Sequence, residues 1–495
     1  MDQSADRRKR VVIVGGGIAG LTAALTLLDE AKRDQRDVDC TIVEAQSQWG
    51  GKIVTSHHAD RIIEGGPDSF LTTKSGGLDL CARLGLTQEL INTNQGNSQT
   101  FAYSRGRLRE FPQGLVSMVP TQLGPLFQSG LVTWAGILRM AGDLLIPARR
   151  PDEPEETLAS FFSRRLGQEA FHRLIEPLVA GIYAGDASEL SVAATFPQFV
   201  ELERKHGGLI KGALAQERER RASSKRPASG RTLFATLKGG LSDLIVKLVD
   251  ELTQHGARLL LGKQVTALRL PARDKPSPGY RLTLENREEI AADAVVLATP
   301  AFSTARLIRE ADPNLGSLLE QILYASTMTL SLVFPRDRVE TFMKGFGFVV
   351  PRIENRMLIA ATWSSLKWAS RAKPEEILIR CYLGGRGRGQ VMDLGDDLLI
   401  EHSLEALRDM VGIDCKPIHA ELYRWKQGMP QYTLGHLDRV NSIRRIIAGH
   451  PGLYVTGAAY QGIGIPDCIR DGQQTARMLA SYLWKKTPKE GGHET

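Results

Sequence analysis

Apolar positions follow two different periods along this chain. Short continuous runs rich in β-branched residues, "RVVIV" at 10–14 and "DCTIVE" at 39–44, predict buried parallel strands. Between them Leu21, Leu25 and Leu28 recur at helical spacing, so the chain opens as strand, turn, helix, strand. A helical period returns in "TLFATLKGGLSDLIVKLVDELTQHG", and "ARLLLGKQVTALRL" and "YRLTLENREEIAADAVVLATP" predict further strands. The last segment, "GLYVTGAAYQGIGIPDCIRDGQQTARMLASYLWKK", predicts a strand, a glycine-rich turn and a long helix from about Asp467. Residues 101–210 read as mainly helical. Within them 114–147 carries only Arg139 and Asp143 as charges, which suits a core helix pair, a lid over an apolar pocket or a membrane-surface patch. The charged stretch "AQERERRASSKRPASGR" at 215–231 reads as a mobile surface loop.

A length of 495 residues implies two or three domains. The net charge of +7 is mild for that length; it suits an acidic small molecule or an anionic lipid surface, and no nucleic-acid partner is expected. Cys40, Cys81, Cys381, Cys415 and Cys468 form no C-x-x-C pair, so neither a zinc site nor a redox dithiol is expected, and no metal. So few cysteines fit a reducing compartment. The opening "MDQSADRRKR" is charged and the apolar run after it is broken by "GGGIAG", so no signal peptide is expected. No apolar run reaches the roughly 18 residues that span a bilayer. The expected location is therefore cytoplasmic.

Gly15, Gly17 and Gly20 form G-x-G-x-x-G between a strand and a helix, the context that dinucleotide binding needs. Gly15 permits the tight turn, Gly17 the approach of a pyrophosphate and Gly20 close helix–strand packing. The helix N-terminus then offers free N–H groups to the phosphates. Glu44, at the end of the second strand, can accept hydrogen bonds from ribose hydroxyls and would repel a 2′-phosphate, which leaves FAD or NAD. Gly50, Gly51 and Lys52 follow where a NAD domain would run straight into further βα units, and they shift the choice to FAD. The glycines of "TGAAYQGIGIPDCIRDG" repeat the device near the C-terminus, where a helix N-terminus aimed at a flavin would stabilise negative charge.

These three separated motifs resemble the flavin oxidase superfamily of amine oxidases, phytoene desaturases and porphyrinogen oxidases. Within it the chain resembles the bacterial protoporphyrinogen/coproporphyrinogen III oxidase family of haem synthesis. The residues that carry the likeness are "EGGPDSFLTTK" (64–74), "EPLVAGIYAGDASELSVAATFPQF" (176–199), "TLKGGLSDL" (236–244) and "YQGIGIPDCIRDG" (460–472). The resemblance implies an α/β fold: a discontinuous Rossmann-like FAD-binding domain (8–94, 232–300 and 440–490), a mixed α+β substrate domain (301–439, with parts of 95–110) and a helical lobe (111–210) that touches membrane in relatives. A mobile loop (211–231) completes this division. It implies FAD contacts at Gly15, Gly16, Gly17, Ile18, Ala19 and Gly20 for the pyrophosphate, joined by Gly50, Gly51 and Lys52. Glu44, Ala45 and the Val265 backbone would serve the ribose and adenine. Gly66, Pro67, Asp68, Ser69, Ala458, Ile463, Gly464 and Ile465 would serve the flavin.

The substrate implied is a porphyrinogen, flat, apolar in the middle and anionic at its propionates. Hydride would leave a bridging carbon for FAD in three two-electron rounds, with oxygen as acceptor and hydrogen peroxide as product. Gly181 would lie over the macrocycle and Lys74 would meet a propionate, unless it is only a solvated lysine. Arg105, Arg107 and Arg109 are further candidates for the propionates. Peripheral membrane contact and hand-off of the product to a later haem-pathway enzyme also follow from the likeness. Because the flavin does the chemistry, no catalytic residue is assigned. His57 and His58 read as turn or surface histidines, His436 lies near the flavin segment, and Tyr183 or Phe346 could shield the site. An amine oxidase or carotenoid desaturase is the alternative enzyme, and the lack of an evident Trp/Tyr pair near the C-terminal motif argues against an amine site. A flavin-binding scaffold is the non-enzymatic reading.

Overall fold

The computed structural model describes residues 8–94, 99–112, 115–116, 118–120, 122–150, 152–222, 230–271 and 279–484. Its first sheet has five parallel strands, in the order Arg258–Leu261, Val38–Glu44, Lys9–Val14, Ala294–Leu297 and Leu453–Val455. The strands come from the start, middle and end of the chain, yet Val12 lies between Thr41 and Val295 in register. Both faces are covered, which explains the unbroken apolar runs. Helices Ile18–Arg33, Ser242–Gln254 and Ile465–Leu483 bury one face. The antiparallel strands Val265–Arg269, Tyr280–Leu284 and Glu289–Ala292 bury the other, together with helices Ala301–Ile308, Pro313–Glu320 and His436–Ala448. Residues 301–322, assigned by sequence to the substrate unit, thus share a core with the nucleotide-type sheet.

A second, seven-stranded sheet runs His419–Pro430, Tyr324–Pro335, Glu376–Gly384, Leu358–Trp363, Gly347–Val349, Phe101–Ser104 and Arg107–Glu110. Helix Asp396–Val411 packs on this sheet and shares its apolar core. The hairpin at 101–110 brings its end close to the helical lobe.

The lobe encloses a separate core that includes Phe161, Phe162, Phe171, Phe196 and Phe199. Thr133, Thr157 and Ser191 cap three of its helices by accepting the amides of Gly136, Ser160 and Ala194. Arg165, fully buried, meets Asp143 at 3.2 Å and also Glu203, and donates to the Ile146 and Pro147 carbonyls. Burying that charge is tolerable only because each arm finds an acceptor.

Two sequence expectations change here. The stretch 211–231 is not a loop throughout, because helix Leu209–Ala222 occupies its first half; residues 223–229 lie outside the described residues. The apolar stretch 114–147 is neither wholly core nor wholly surface. Leu126, Leu131, Val132, Ile137 and Met140 are buried, whereas Phe127, Trp134, Leu138, Leu144 and Leu145 face outward. Among the described residues no helix is long and apolar enough to cross a membrane.

Candidate active site

Gly15 lies at φ +112°, and a Cβ there would sit 2.8 Å from the Ala298 carbonyl oxygen, so this turn tolerates only glycine. A side chain at Gly20 would collide with the Gly15 carbonyl. Gly17 differs: a Cβ there meets nothing within 4 Å. It caps helix Ile18–Arg33, which has no side-chain cap and no acidic residue in its first turn. Across from it a Cβ on Gly51 would stand 3.4 Å from the Gly17 Cα, and Gly50 donates its amide to the Gly16 carbonyl at 2.8 Å. An uncapped helix N-terminus facing glycines is a cradle for phosphates, and these residues fit a dinucleotide. Lys52, beside the pair, is exposed.

Glu44 is buried, and both its oxygens accept backbone amides: Oε2 from Gly16 at 2.6 Å and Oε1 from Gln46 at 2.8 Å. Sequence reading missed this bracing of the glycine turn. Each carboxylate oxygen retains a lone pair for a ribose hydroxyl. Ala45 is exposed beside it. The Glu44 and Gln46 carbonyls accept the amides of Lys263 and Gly262 at 2.8 and 3.0 Å, which brings the segment leading to buried Val265 alongside.

Gly66, Pro67, Asp68 and Ser69 are held by the seven-stranded sheet. The Gly65 carbonyl accepts Thr329 Oγ1 at 2.7 Å and Trp425 Nε1 at 2.8 Å, and the Gly66 carbonyl accepts Arg380. Asp68 accepts Ser69 Oγ at 2.7 Å, Lys367 Nζ at 2.9 Å and Trp368 Nε1 at 3.2 Å. Burial disfavours its charge, but Lys367 and Arg380 outweigh burial and hold the carboxyl well below the usual range. Arg380, Thr329, Lys367 and Trp425 were absent from the sequence expectations. The available signal was Arg380 itself, a lone charge inside the apolar strand "EILIRCYLG".

The C-terminal motif reaches the same place. Helix Ile465–Leu483 begins two residues before the expected Asp467 and has Gly464 as its cap, again without a side-chain cap. A side chain at Gly472, two turns into this helix, would collide with the Ala19 carbonyl, so the helix packs closely on the first turn of helix Ile18–Arg33. Asp467 forms an ion pair with Lys74 at 2.7 Å. Lys74, expected at a propionate, therefore already has a protein counter-ion on helix Ile465–Leu483.

The helical lobe is tied to this motif. Ile463 packs against the lobe core, and Tyr432 donates to the Ala458 carbonyl at 2.7 Å. Gln431 Nε2 donates to the Tyr183 carbonyl at 3.0 Å, at the end of helix Glu176–Tyr183. Gly181 lies on that helix, exposed, with nothing within 4 Å of a Cβ. Tyr183 itself turns into the lobe core and bonds the Thr195 carbonyl. Phe346 is half-buried, and its backbone bonds Gln99 and Trp363.

His436 is fully buried, stacks on Tyr432 at 4.0 Å and lies 3.4 Å from the Tyr460 carbonyl; burial pushes its pKa down to about 4. Arg105 is committed to Glu169 and the Gly130 carbonyl, and Arg109 to the Ser104 carbonyl, whereas Arg107 is exposed. Tyr423 and Trp425 stack in parallel, 6.3 Å apart, beside Gly65. The sequence argument considered only pairs near the C-terminal motif, and this pair lies beside Gly65.

Residues 18–480 match the family described as flavin containing amine oxidoreductase. The chain belongs to that family. It is an FAD-dependent oxidoreductase. It is 36% identical to the coproporphyrinogen III oxidase of Bacillus subtilis, over 97% of this chain and 100% of that one. With the enzyme of the same name from Staphylococcus aureus the identity is 31%, over 96% and 100%. A crystal structure from Exiguobacterium sp. 255-15, provisionally assigned as a protoporphyrinogen oxidase, superposes with a TM-score of 0.83 at 32% identity, covering 96% of this chain and 99% of that one. A putrescine oxidase at 14% identity and a TM-score of 0.67 shares the fold alone.

Proposed function

We propose that this flavoprotein oxidises a porphyrinogen in haem biosynthesis, and that coproporphyrinogen III is its substrate. The observation that carries the reading is the end-to-end likeness to coproporphyrinogen III oxidases at 31–36% identity, above the 27–29% to protoporphyrinogen oxidases. The site supports it: the open position over Gly181 adjoins the flavin-side residues through Gln431, Tyr432 and Ile463.

Bound FAD supplies hydride acceptance, with oxygen as the final oxidant. The chain's own work is positioning. Gly15, Gly16, Gly17 and Gly20, with Gly50 and Gly51, would hold the pyrophosphate, and Glu44 the ribose. The Gly65–Ser69 backbone, braced by Thr329, Arg380 and Trp425, would fix the flavin against the sheet. The lobe wall at Gly181 would cover the macrocycle and keep water from it.

The deciding experiment compares turnover of coproporphyrinogen III and protoporphyrinogen IX by porphyrin fluorescence and oxygen uptake. Preference for the four-propionate substrate supports the reading; faster turnover of protoporphyrinogen corrects the substrate. Inertness to both, with turnover of primary amines, sinks the proposal in favour of an amine oxidase, the reading that the Tyr423/Trp425 pair favours.

The reading includes a cytoplasmic location with peripheral contact at a lipid surface. Five unpaired cysteines and the outward apolar face of the lobe support it. From there the product would pass to a later enzyme of the same pathway.

A further inference from the structure

We propose that His58, His419 and Glu421 form a binding site for a divalent late first-row transition cation such as Zn²⁺. His58 ends strand Thr55–His58, while His419 and Glu421 stand two residues apart on one face of strand His419–Pro430. One donor atom from each lies within 4.8 Å of the others. His58 Nε2 is 3.4 Å and His419 Nε2 3.6 Å from the Glu421 Oε2.

Those separations suit a shared metal ion better than direct hydrogen bonds. An N–H···O bond would close to about 2.7–3.2 Å. Two metal–ligand bonds of about 2.0–2.1 Å at a tetrahedral angle hold their donor atoms about 3.4 Å apart. The His419 Nε2 atom is also buried and has no hydrogen-bond partner. A buried polar atom left in that state is costly, and a cation between it and Glu421 would satisfy it.

The carboxylate is already oriented. Tyr423 donates to Glu421 Oε1 at 2.6 Å and Ser56 Oγ to Oε2 at 2.9 Å, the kind of outer contacts that aim a metal ligand. Two imidazoles and one carboxylate suit Zn²⁺ or its neighbours rather than Mg²⁺ or Ca²⁺. His58 is half-exposed, so water can complete the coordination. The cation would clamp the N-terminal hairpin to the strand that carries Trp425 to Gly65. No part of the proposal depends on the substrate of the flavin.

The test uses untagged full-length holoprotein, stripped with chelator and titrated calorimetrically with Zn²⁺, with Mg²⁺ as control. One equivalent should bind and raise the Tm, with no response to Mg²⁺. His58→Ala and His419→Ala should each weaken binding by about tenfold or more while FAD content stays unchanged. The double variant should lose the site. Failure of the wild type to bind Zn²⁺ saturably, or equal binding by the double variant, overturns the proposal.

Discussion

Glu44 accepts the Gly16 amide at 2.6 Å across the turn that joins the first strand to the first helix. The contact sets the carboxylate and the phosphate cradle in one rigid unit. Glu44→Gln would turn an amide group toward one of the two N–H donors, and Glu44→Ala would orphan both. A charge-assisted hydrogen bond is worth about 1.5–3 kcal/mol, so FAD affinity should fall roughly ten- to hundredfold. Flavin absorbance after gel filtration measures it; full flavin content in both variants rules the bracing role out.

Gly17 and Gly20 should separate binding from folding. Gly17 has extended backbone and open space around a Cβ, so Gly17→Val should leave the apoprotein Tm unchanged and abolish FAD retention. A valine at Gly20 collides with the Gly15 carbonyl and should lower stability by about 1–3 kcal/mol as well. Calorimetry of the two apoproteins distinguishes them.

Gly181→Phe sets its Cβ in open space on helix Glu176–Tyr183. FAD content and Tm should match the wild type, and porphyrinogen turnover should fall at least tenfold. Unchanged turnover would mean that the macrocycle lies elsewhere.

The buried His436 predicts an acid limb in stability. Its pKa falls from 6.5 to about 4 on folding, so the unfolded chain binds the extra proton between those values. The contribution is complete above pH 6.5 and is lost as pH falls toward 4, up to about 3 kcal/mol. His436→Phe keeps a ring on Tyr432 and removes the titration. Its urea midpoint should therefore vary less across this window.

Trp134, Leu138 and Leu145 are 63%, 72% and 88% exposed on the lobe, and Phe127 stacks on Trp134 at 4.3 Å. Inserted side chains of this size contribute about 1.5–3 kcal/mol each when fully buried, so changing all three to Ser should cut binding to anionic vesicles more than tenfold. Sedimentation with vesicles measures it, with FAD content as the control for folding.

The first strand–turn–helix unit, the acidic strand end and the C-terminal glycine helix were legible because each is local. A tight turn demands glycine, a buried parallel strand demands an unbroken apolar run, and a phosphate demands free amides. The loop expected at 211–231 went astray because charged composition alone does not exclude a helix, and Leu209–Ala222 forms one. Lys74 looked like a free cation because Asp467, its partner, lies 393 residues away. Separations of more than 300 residues likewise hid the Arg380 contact to Gly66 and the meeting of His58 with His419. The chain by itself determined what its short segments could bind: a dinucleotide, through backbone geometry that only glycine permits. Tertiary structure alone decided which side chains brace that cradle and which remain free. Those contacts depend on which segments the fold brings together, from Glu44 and Gly16, 28 residues apart, to Arg380 and Gly66, 314 apart, and no local pattern encodes that pairing.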